Sequence, residues 1–138
     1  MKLSKPLNKI ILRGNDPTGH GYYGAKRGTR KHKGLDLVSQ PKEAVNSLID
    51  GVVTKIGYPY ASNLAFRYVE VTNDTYRIRV MYIFPKNISV GDRIFKGQQI
   101  GETQDVAGFW NPRMLNHIHI EVYKNGLLTD PEPLLVGC

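Results

Sequence analysis

A chain of 138 residues with a formal charge of +7 and one cysteine has room for one ordinary hydrophobic core, and it excludes a disulfide-stapled scaffold. Its apolar and charged fractions, 41% and 22%, are those of a water-soluble globular protein. No run of about 18 apolar residues occurs, so no membrane-inserted helix is expected.

Leu3 to Leu12 reads as a short arm, with a strand at Lys9 to Leu12. Met1 to Leu12 lacks a continuous apolar stretch and a small-residue cleavage site, so no signal peptide is expected, and action outside the cytoplasm would need another delivery route. Arg13 to Lys31, rich in Gly, Asn, Asp and Thr, reads as an irregular loop. Its end carries Lys26, Arg27, Arg30, Lys31 and Lys33. Such a field is either a solvated basic face or an attractor of anionic partners, an anionic cell envelope first among them. Aromatic residues do not alternate with the basic ones as in a base-stacking platform, so no specific nucleic-acid partner is expected.

Further along, Leu35 to Val38 reads as a short strand. Ala44 to Ile56 carries two apolar groups around Asp50-Gly51, the pattern of a hairpin. Phe66 to Thr72 and Tyr76 to Phe84 are β-rich runs separated by Asn73-Asp74. Turn-punctuated pieces follow at Ile88 to Asp92 and Phe95 to Gly97, then a strand at Ile100 to Thr103 and a loop from Gln104 to Asn116. Phe109 and Trp110 in that loop either wall a groove or pack at the edge of the core. His117 to Tyr123 is the clearest strand, closed by Asn125-Gly126. No segment keeps a helical period. The expected architecture is a single mainly β domain over residues 1–138, an antiparallel sheet core, sandwich or barrel-like, with long loops.

The chemistry concentrates in the histidines. In a strand, alternate side chains share a face, so His117, His119 and Glu121 stand together while Ile118, Ile120 and Val122 face the core. His32 and Asp36 lie four positions apart, about 13 Å in an extended chain at roughly 3.3 Å per residue. Two ligands of one ion must each come within about 2 Å of it. The chain must therefore bend, and Gly34 sits where a bend is needed. One or both strand imidazoles complete the set. Two His and one Asp would leave the fourth zinc position open, and a spare histidine could move a proton. Glu121 is either a partner that orients an imidazole or a surface ion-pair member. His20, the fourth histidine, reads as an exposed loop residue, and Cys138 as a free terminal thiol.

These residues, in this order, resemble the lysostaphin/LytM family of zinc peptidases. The counterparts are His32 to Asp36, Gly51-Val52-Val53, the stretch Val90-Gly91-Asp92-Arg93-Ile94-Phe95-Lys96-Gly97-Gln98-Gln99-Ile100-Gly101, and His117 to His119. The resemblance covers roughly Ile10 to Leu134. It implies a β core whose long loops surround a metal groove, with one Zn²⁺ held there by His32, Asp36 and His119. It further implies that His117 is an unliganded catalytic imidazole, and that the activity is cleavage of peptide cross-links in bacterial peptidoglycan at the cell wall or periplasm. One position departs from the pattern: Tyr82 stands where active relatives carry a histidine in a Y-x-H-L motif. The strand ending at Tyr82 is similar to that of the leukocyte cell-derived chemotaxins, regarded as zinc-bearing non-peptidases, as is the run of Arg13-Gly14, Gly21-Tyr22-Tyr23-Gly24-Ala25, Arg27, Arg30 and His32. Small proteins of this subtype also resemble products of tailed bacteriophages, of lytic or virion-associated type. A phenol can donate a hydrogen bond to an oxyanion, but with a pKa near 10 it is a poor base at neutral pH. The alternatives are thus an enzyme that uses Tyr82 as a catalytic donor, a slow enzyme, or a non-catalytic zinc module that binds a wall component or a protein. An ordinary strand aromatic is the structural alternative for Tyr82.

Overall fold

The computed structural model describes residues 3–13, 15–16, 19–20, 26–27, 30–31, 34–60, 64–106 and 116–136. In chain order the strands are β1 (Asn15–Asp16), β2 (Gly19–His20), β3 (Lys26–Arg27), β4 (Arg30–Lys31), β5 (Leu35–Val38), β6 (Ala44–Asn46), β7 (Gly51–Gly57) and β8 (Tyr68–Thr72). They continue with β9 (Tyr76–Met81), β10 (Ile83–Pro85), β11 (Arg93–Ile94), β12 (Gln99–Thr103), β13 (His117–Lys124) and β14 (Leu127–Thr129), and a short helix α1 (Glu132–Val136) follows. The main sheet runs β11-β7-β8-β9-β13-β14, and β5 also pairs with β13. A smaller sheet runs β10-β12-β6, while β1-β2 and β3-β4 are small hairpins where the sequence read as an irregular loop. Among the described residues every pairing is antiparallel. The two larger sheets do not close into a barrel.

Alternation in the sequence sets the two faces of the main sheet. On β9, Tyr76, Ile78 and Val80 are buried while Arg77, Arg79 and Met81 are partly exposed. Pairing aligns Val80 with Ile120 and Val69, and Ile78 with Val122 and Val71, so this face is continuously apolar. It packs against Val45, Ile83 and Ile100 of the smaller sheet, with Leu3 and Leu7 from the N-terminal arm and Leu135 from α1. Burying each such aliphatic side chain contributes about 1.5–3 kcal/mol. The arm is tied in by backbone bonds: Leu3 N–H donates to Leu134 O, Ser4 N–H to Leu48 O, and Pro6 O accepts from Asn46 N–H. The opposite face carries three cross-strand rows, His119–Met81–Tyr68, Glu121–Arg79–Glu70 and Tyr123–Arg77–Thr72. That polar face holds the candidate site.

Three local expectations change. Asp50-Gly51 is not the tip of a hairpin: β6 pairs with β12 and β7 with β8 and β11, so the chain crosses between sheets there. The Asp50 carboxylate accepts from Lys96 N–H at 2.6 Å, and Ser47 Oγ donates to Ile49 O at 2.7 Å, which fixes the crossing. The run Tyr76 to Phe84 is also interrupted. Tyr82 adopts φ = 69°, and both Tyr82 N–H and Ile83 N–H donate to Arg67 O. This bulge turns the chain from β9 in the main sheet to β10 in the smaller one. Finally, the His117 to Tyr123 strand, whose alternation reads as half-buried with only the isoleucine and valine face in the core, is covered on its polar face as well: residues His117 to Val122 are all buried. The Asn125-Gly126 turn behaves as its sequence predicts. Both residues have positive φ, 51° and 81°, and Lys124 pairs with Leu127 across a two-residue hairpin loop.

Candidate metal centre and catalytic site

The register of β5 against β13 sets Asp36 directly opposite His119. The arm extends this row, because Arg13 N–H donates to Asp36 O and Leu12 bridges Leu37. Three segments distant in sequence thus deliver Arg13, Asp36 and His119 side by side. His119 Nδ1 lies 2.9 Å from Asp36 Oδ1. Arg13 Nη1 donates to Asp36 Oδ2 at 2.7 Å. On the far side of the imidazole, Nε2 lies 3.0 Å from Glu121 Oε2. All four side chains are buried.

Gly34 explains why the chain can run so close to this ring. A Cβ there would collide with Ile120 O and lie 2.9 Å from both Cε1 and Nε2 of His119. Any larger residue would push the 34–36 segment off β13.

Burial disfavours the charged imidazolium of His119. The hydrogen bonds to Asp36 and Glu121 and their negative charge more than offset this, and the pKa is raised from 6.5 to about 9. In the absence of a metal, the ring therefore holds a proton between the two carboxylates at neutral pH.

His117 stands next to this pair. Its Nε2 is 3.7 Å from Asp36 Oδ2, beyond hydrogen-bond length. Its ring meets the Tyr82 ring edge-on, with centroids 5.4 Å apart at 89°. Tyr82 is buried against Phe66 (centroids 5.6 Å) and Val106. Its left-handed backbone, unusual for a bulky residue and costing on the order of 1–3 kcal/mol, aims the ring at His117. The Tyr82 and Tyr60 hydroxyls are 2.6 Å apart.

The polar face continues past the site. Glu70 accepts from Arg79 Nη2 at 2.9 Å and from Thr54 Oγ1 at 2.9 Å. Burial raises the Glu70 pKa, but bonds from Arg79 and Thr54 and the Arg79 charge outweigh it, leaving the carboxyl below its ordinary value. Arg79 stacks on Tyr68 and Arg77 on Tyr123, at 4.3 and 3.9 Å to the ring centroids.

Of the residues singled out by sequence, Asp36, His117, His119 and Tyr82 converge. His32 lies outside the described residues, as do Phe109, Trp110 and Cys138 and the side chain of His20. Glu121 lies at the distance of an imidazole-orienting partner. Among the described residues no group of three His, Cys, Asp or Glu is arranged to hold a metal. The donor chemistry of Asp36 and His119 nevertheless fits one. Two ligands about 2.0–2.1 Å from a tetrahedral zinc are roughly 3.3 Å apart, close to the 2.9 Å between Oδ1 and Nδ1. Arg13 takes the other carboxylate oxygen and Glu121 the other ring nitrogen, so each donor presents one atom. The sequence assigned no role to Arg13 or Tyr60: Arg13 belongs to the run up to His32 that is similar to the chemotaxins, but that similarity gave it no function, and Tyr60 sits in no motif.

A strand-borne H-x-H facing a carboxylate across an antiparallel sheet places the chain among β-fold metallopeptidase relatives. Residues 30–131 match the profile of Peptidase family M23, and the chain belongs to that family. It is 32% identical over 120 residues to Myeloid protein 1 of Gallus gallus, covering 84% of this chain and 35% of that protein. The chain thus spans about a third of that relative's length. Among solved structures, Helicobacter pylori Csd3 superposes with a TM-score of 0.72 at 21% identity, over 98% of this chain and 33% of that one. The catalytic domain of the antimicrobial peptidase lysostaphin from Staphylococcus simulans superposes with a TM-score of 0.63 at 21% identity, over 83% and 88%. These two share the fold.

Proposed function

We propose that this protein is a zinc endopeptidase that hydrolyses peptide cross-links of bacterial peptidoglycan, acting at the cell wall or periplasm as a bacteriophage lysis or virion-associated protein. The observation that carries the reading is the facing of Asp36 and His119 across β5 and β13, with His117 and Tyr82 beside them, in a member of Peptidase family M23. His32, Asp36 and His119 hold the Zn²⁺. Bound there, the ion supplies Lewis acidity toward a peptide carbonyl and lowers the pKa of a water toward about 7.

The chain's own groups do the rest. Arg13 pairs with Oδ2 of Asp36 and leaves Oδ1 for the cation. Glu121 on Nε2 turns Nδ1 of His119 toward Asp36. His117 takes a proton from water as its oxygen bonds to the carbonyl carbon, and returns it to the amine as the C–N bond breaks. Tyr82 donates to the carbonyl oxygen as negative charge develops on it. The positive net charge draws the protein to anionic envelopes.

The test is amine release from purified cell walls with and without chelator. Release that disappears with chelator and with His117→Ala in a folded protein supports the reading. No release from any of several wall types would remove the catalytic claim. Tyr82 in place of a histidine favours one second reading, a non-catalytic zinc module that binds wall components or a protein partner. It requires wall binding that survives His117→Ala.

A further inference from the structure

We infer that Tyr60 is a positioning residue for the oxyanion, acting through Tyr82; the inference rests on the function proposed above. Tyr60 follows β7, outside every motif of the family resemblance. Its hydroxyl nonetheless lies 2.6 Å from that of Tyr82, at the short end for an O–H···O bond. The two phenols differ in surroundings. Tyr82 is 7% exposed, its ring fixed edge-on between Phe66 and His117, whereas Tyr60 is 37% exposed on the solvent side.

Each phenol has one proton. In a hydroxyl pair one oxygen accepts, and the accepting hydroxyl keeps its own proton for a third partner. Of the two phenols, Tyr82 is the one whose ring packs against His117, so in the reaction proposed above the third partner assigned to it is the carbonyl oxygen of the substrate. Either hydroxyl could donate across the 2.6 Å pair; in the inferred arrangement, with a substrate carbonyl bound, Tyr60 donates to Tyr82 Oη and Tyr82 donates onward. Accepting a bond polarises the Tyr82 O–H, because chained hydrogen bonds strengthen one another in a low-dielectric site. The pair offers a fixed, polarised donor where the resemblance expects an imidazole, and no proton needs to leave either phenol. The bulge at Tyr82, with φ = 69°, holds the ring in the position this requires.

The experiment compares Tyr60→Phe, Tyr82→Phe and the double variant, after melting and zinc content show that each is folded and loaded. On a cross-link peptide, Tyr60→Phe lowers kcat about tenfold with KM within twofold, and Tyr82→Phe lowers it about a hundredfold, the loss of one oxyanion donor. The double variant matches Tyr82→Phe alone, since Tyr60 acts only through Tyr82. Wild-type kcat in Tyr60→Phe, or losses that multiply in the double variant, overturns the inference while leaving the proposed function standing. A phosphinate peptide, whose tetrahedral anion mimics the intermediate, is the second probe, and it reads the pair without turnover. Weaker phosphinate binding to Tyr60→Phe supports the inference even if the wild type cleaves nothing, a result that would strike only the proposed function. Equal binding overturns the inference.

Discussion

Replacing Glu121 with Gln tests the electrostatics of the site in isolation from turnover. Glu121 Oε2 lies 3.0 Å from His119 Nε2, and Gln keeps the shape and an acceptor while removing the charge. In metal-free protein the His119 pKa is raised from 6.5 to about 9, a difference of about 3 kcal/mol at 1.36 kcal/mol per pH unit. Because the folded pKa is raised, this stabilisation is fully present below pH 6.5 and is lost as pH rises through about 9. Urea unfolding of chelator-treated wild type should therefore show stability falling by roughly 3 kcal/mol between those limits. In Glu121→Gln the fall should be smaller by roughly 1 kcal/mol or more, about the difference between a hydrogen bond with a charged acceptor and one with a neutral acceptor. The His119 pKa followed by NMR should drop in parallel. Wild-type stability that holds or rises from pH 6.5 to 9, or an unaltered slope in Glu121→Gln, would refute the account of the buried carboxylates.

Three further outcomes follow from the same geometry. Asp36→Asn removes the proposed ligand and takes away the negative charge that the buried Arg13 guanidinium, 5% exposed, meets at 2.7 Å. It should cost about 3–5 kcal/mol, read as a fall in melting temperature of about 10 °C or more, and abolish stoichiometric zinc. Gly34→Ala puts a methyl into Ile120 O and the His119 ring, so it should lower zinc affinity at least tenfold in a chelator competition, and unchanged affinity would contradict the close approach. Zinc uptake near pH 7.5 should release between one and two protons, one because the cation replaces the proton that His119 carries in the metal-free state and most of a second from a bound water whose pKa falls toward about 7. Calorimetry in two buffers of different ionisation enthalpy measures it, and release well below half a proton would be the contrary result.

How much of this was legible in the sequence depended on how local each signal is. The period-2 pattern of His117 to Tyr123 gave the strand, its apolar face and the sharing of a face by His117, His119 and Glu121, since these follow from strand geometry alone. Burial of the other face was not legible, because what covers it comes from the arm, from β5 and from the Tyr82 corner. Asn125-Gly126 was readable because both residues tolerate positive φ. Asp50-Gly51 misled for the same reason: a turn dipeptide does not say which strand its neighbours will pair with, and β6 finds its partner, β12, about fifty residues later. Tyr82 could be aligned to a motif, but not its positive φ, since the bulge is made by Arg67 O accepting from two consecutive N–H groups. Arg13 and Tyr60 were hardest, because their partners lie 23 and 22 positions away with no repeated spacing to announce them.

The charge arithmetic of the site also separates a metal required for folding from one required for chemistry. Arg13 (+1), Asp36 (−1), protonated His119 (+1) and Glu121 (−1) sum to zero, and the hydrogen bonds link them in that order. Buried charges are costly unless paired, and here each is paired without any ion. The core under them, from Ile118, Ile120 and Val122 to Val45 and Ile100, contains no metal donor. A structural zinc site is different, because its thiolates or imidazoles have no other partner and the apo domain unfolds. Removing the metal at pH 7 should therefore leave the β signature in far-ultraviolet dichroism and a cooperative melt intact, and lower the melting temperature only by the mass-action term of ligand release. At pH 10, where His119 loses its proton, the metal-free form should melt markedly earlier, because Asp36 and Glu121 then both face an uncharged ring. Collapse of the fold on chelation at pH 7 would show that the pairing among these four groups does not suffice, and would shift the balance toward the non-catalytic zinc module.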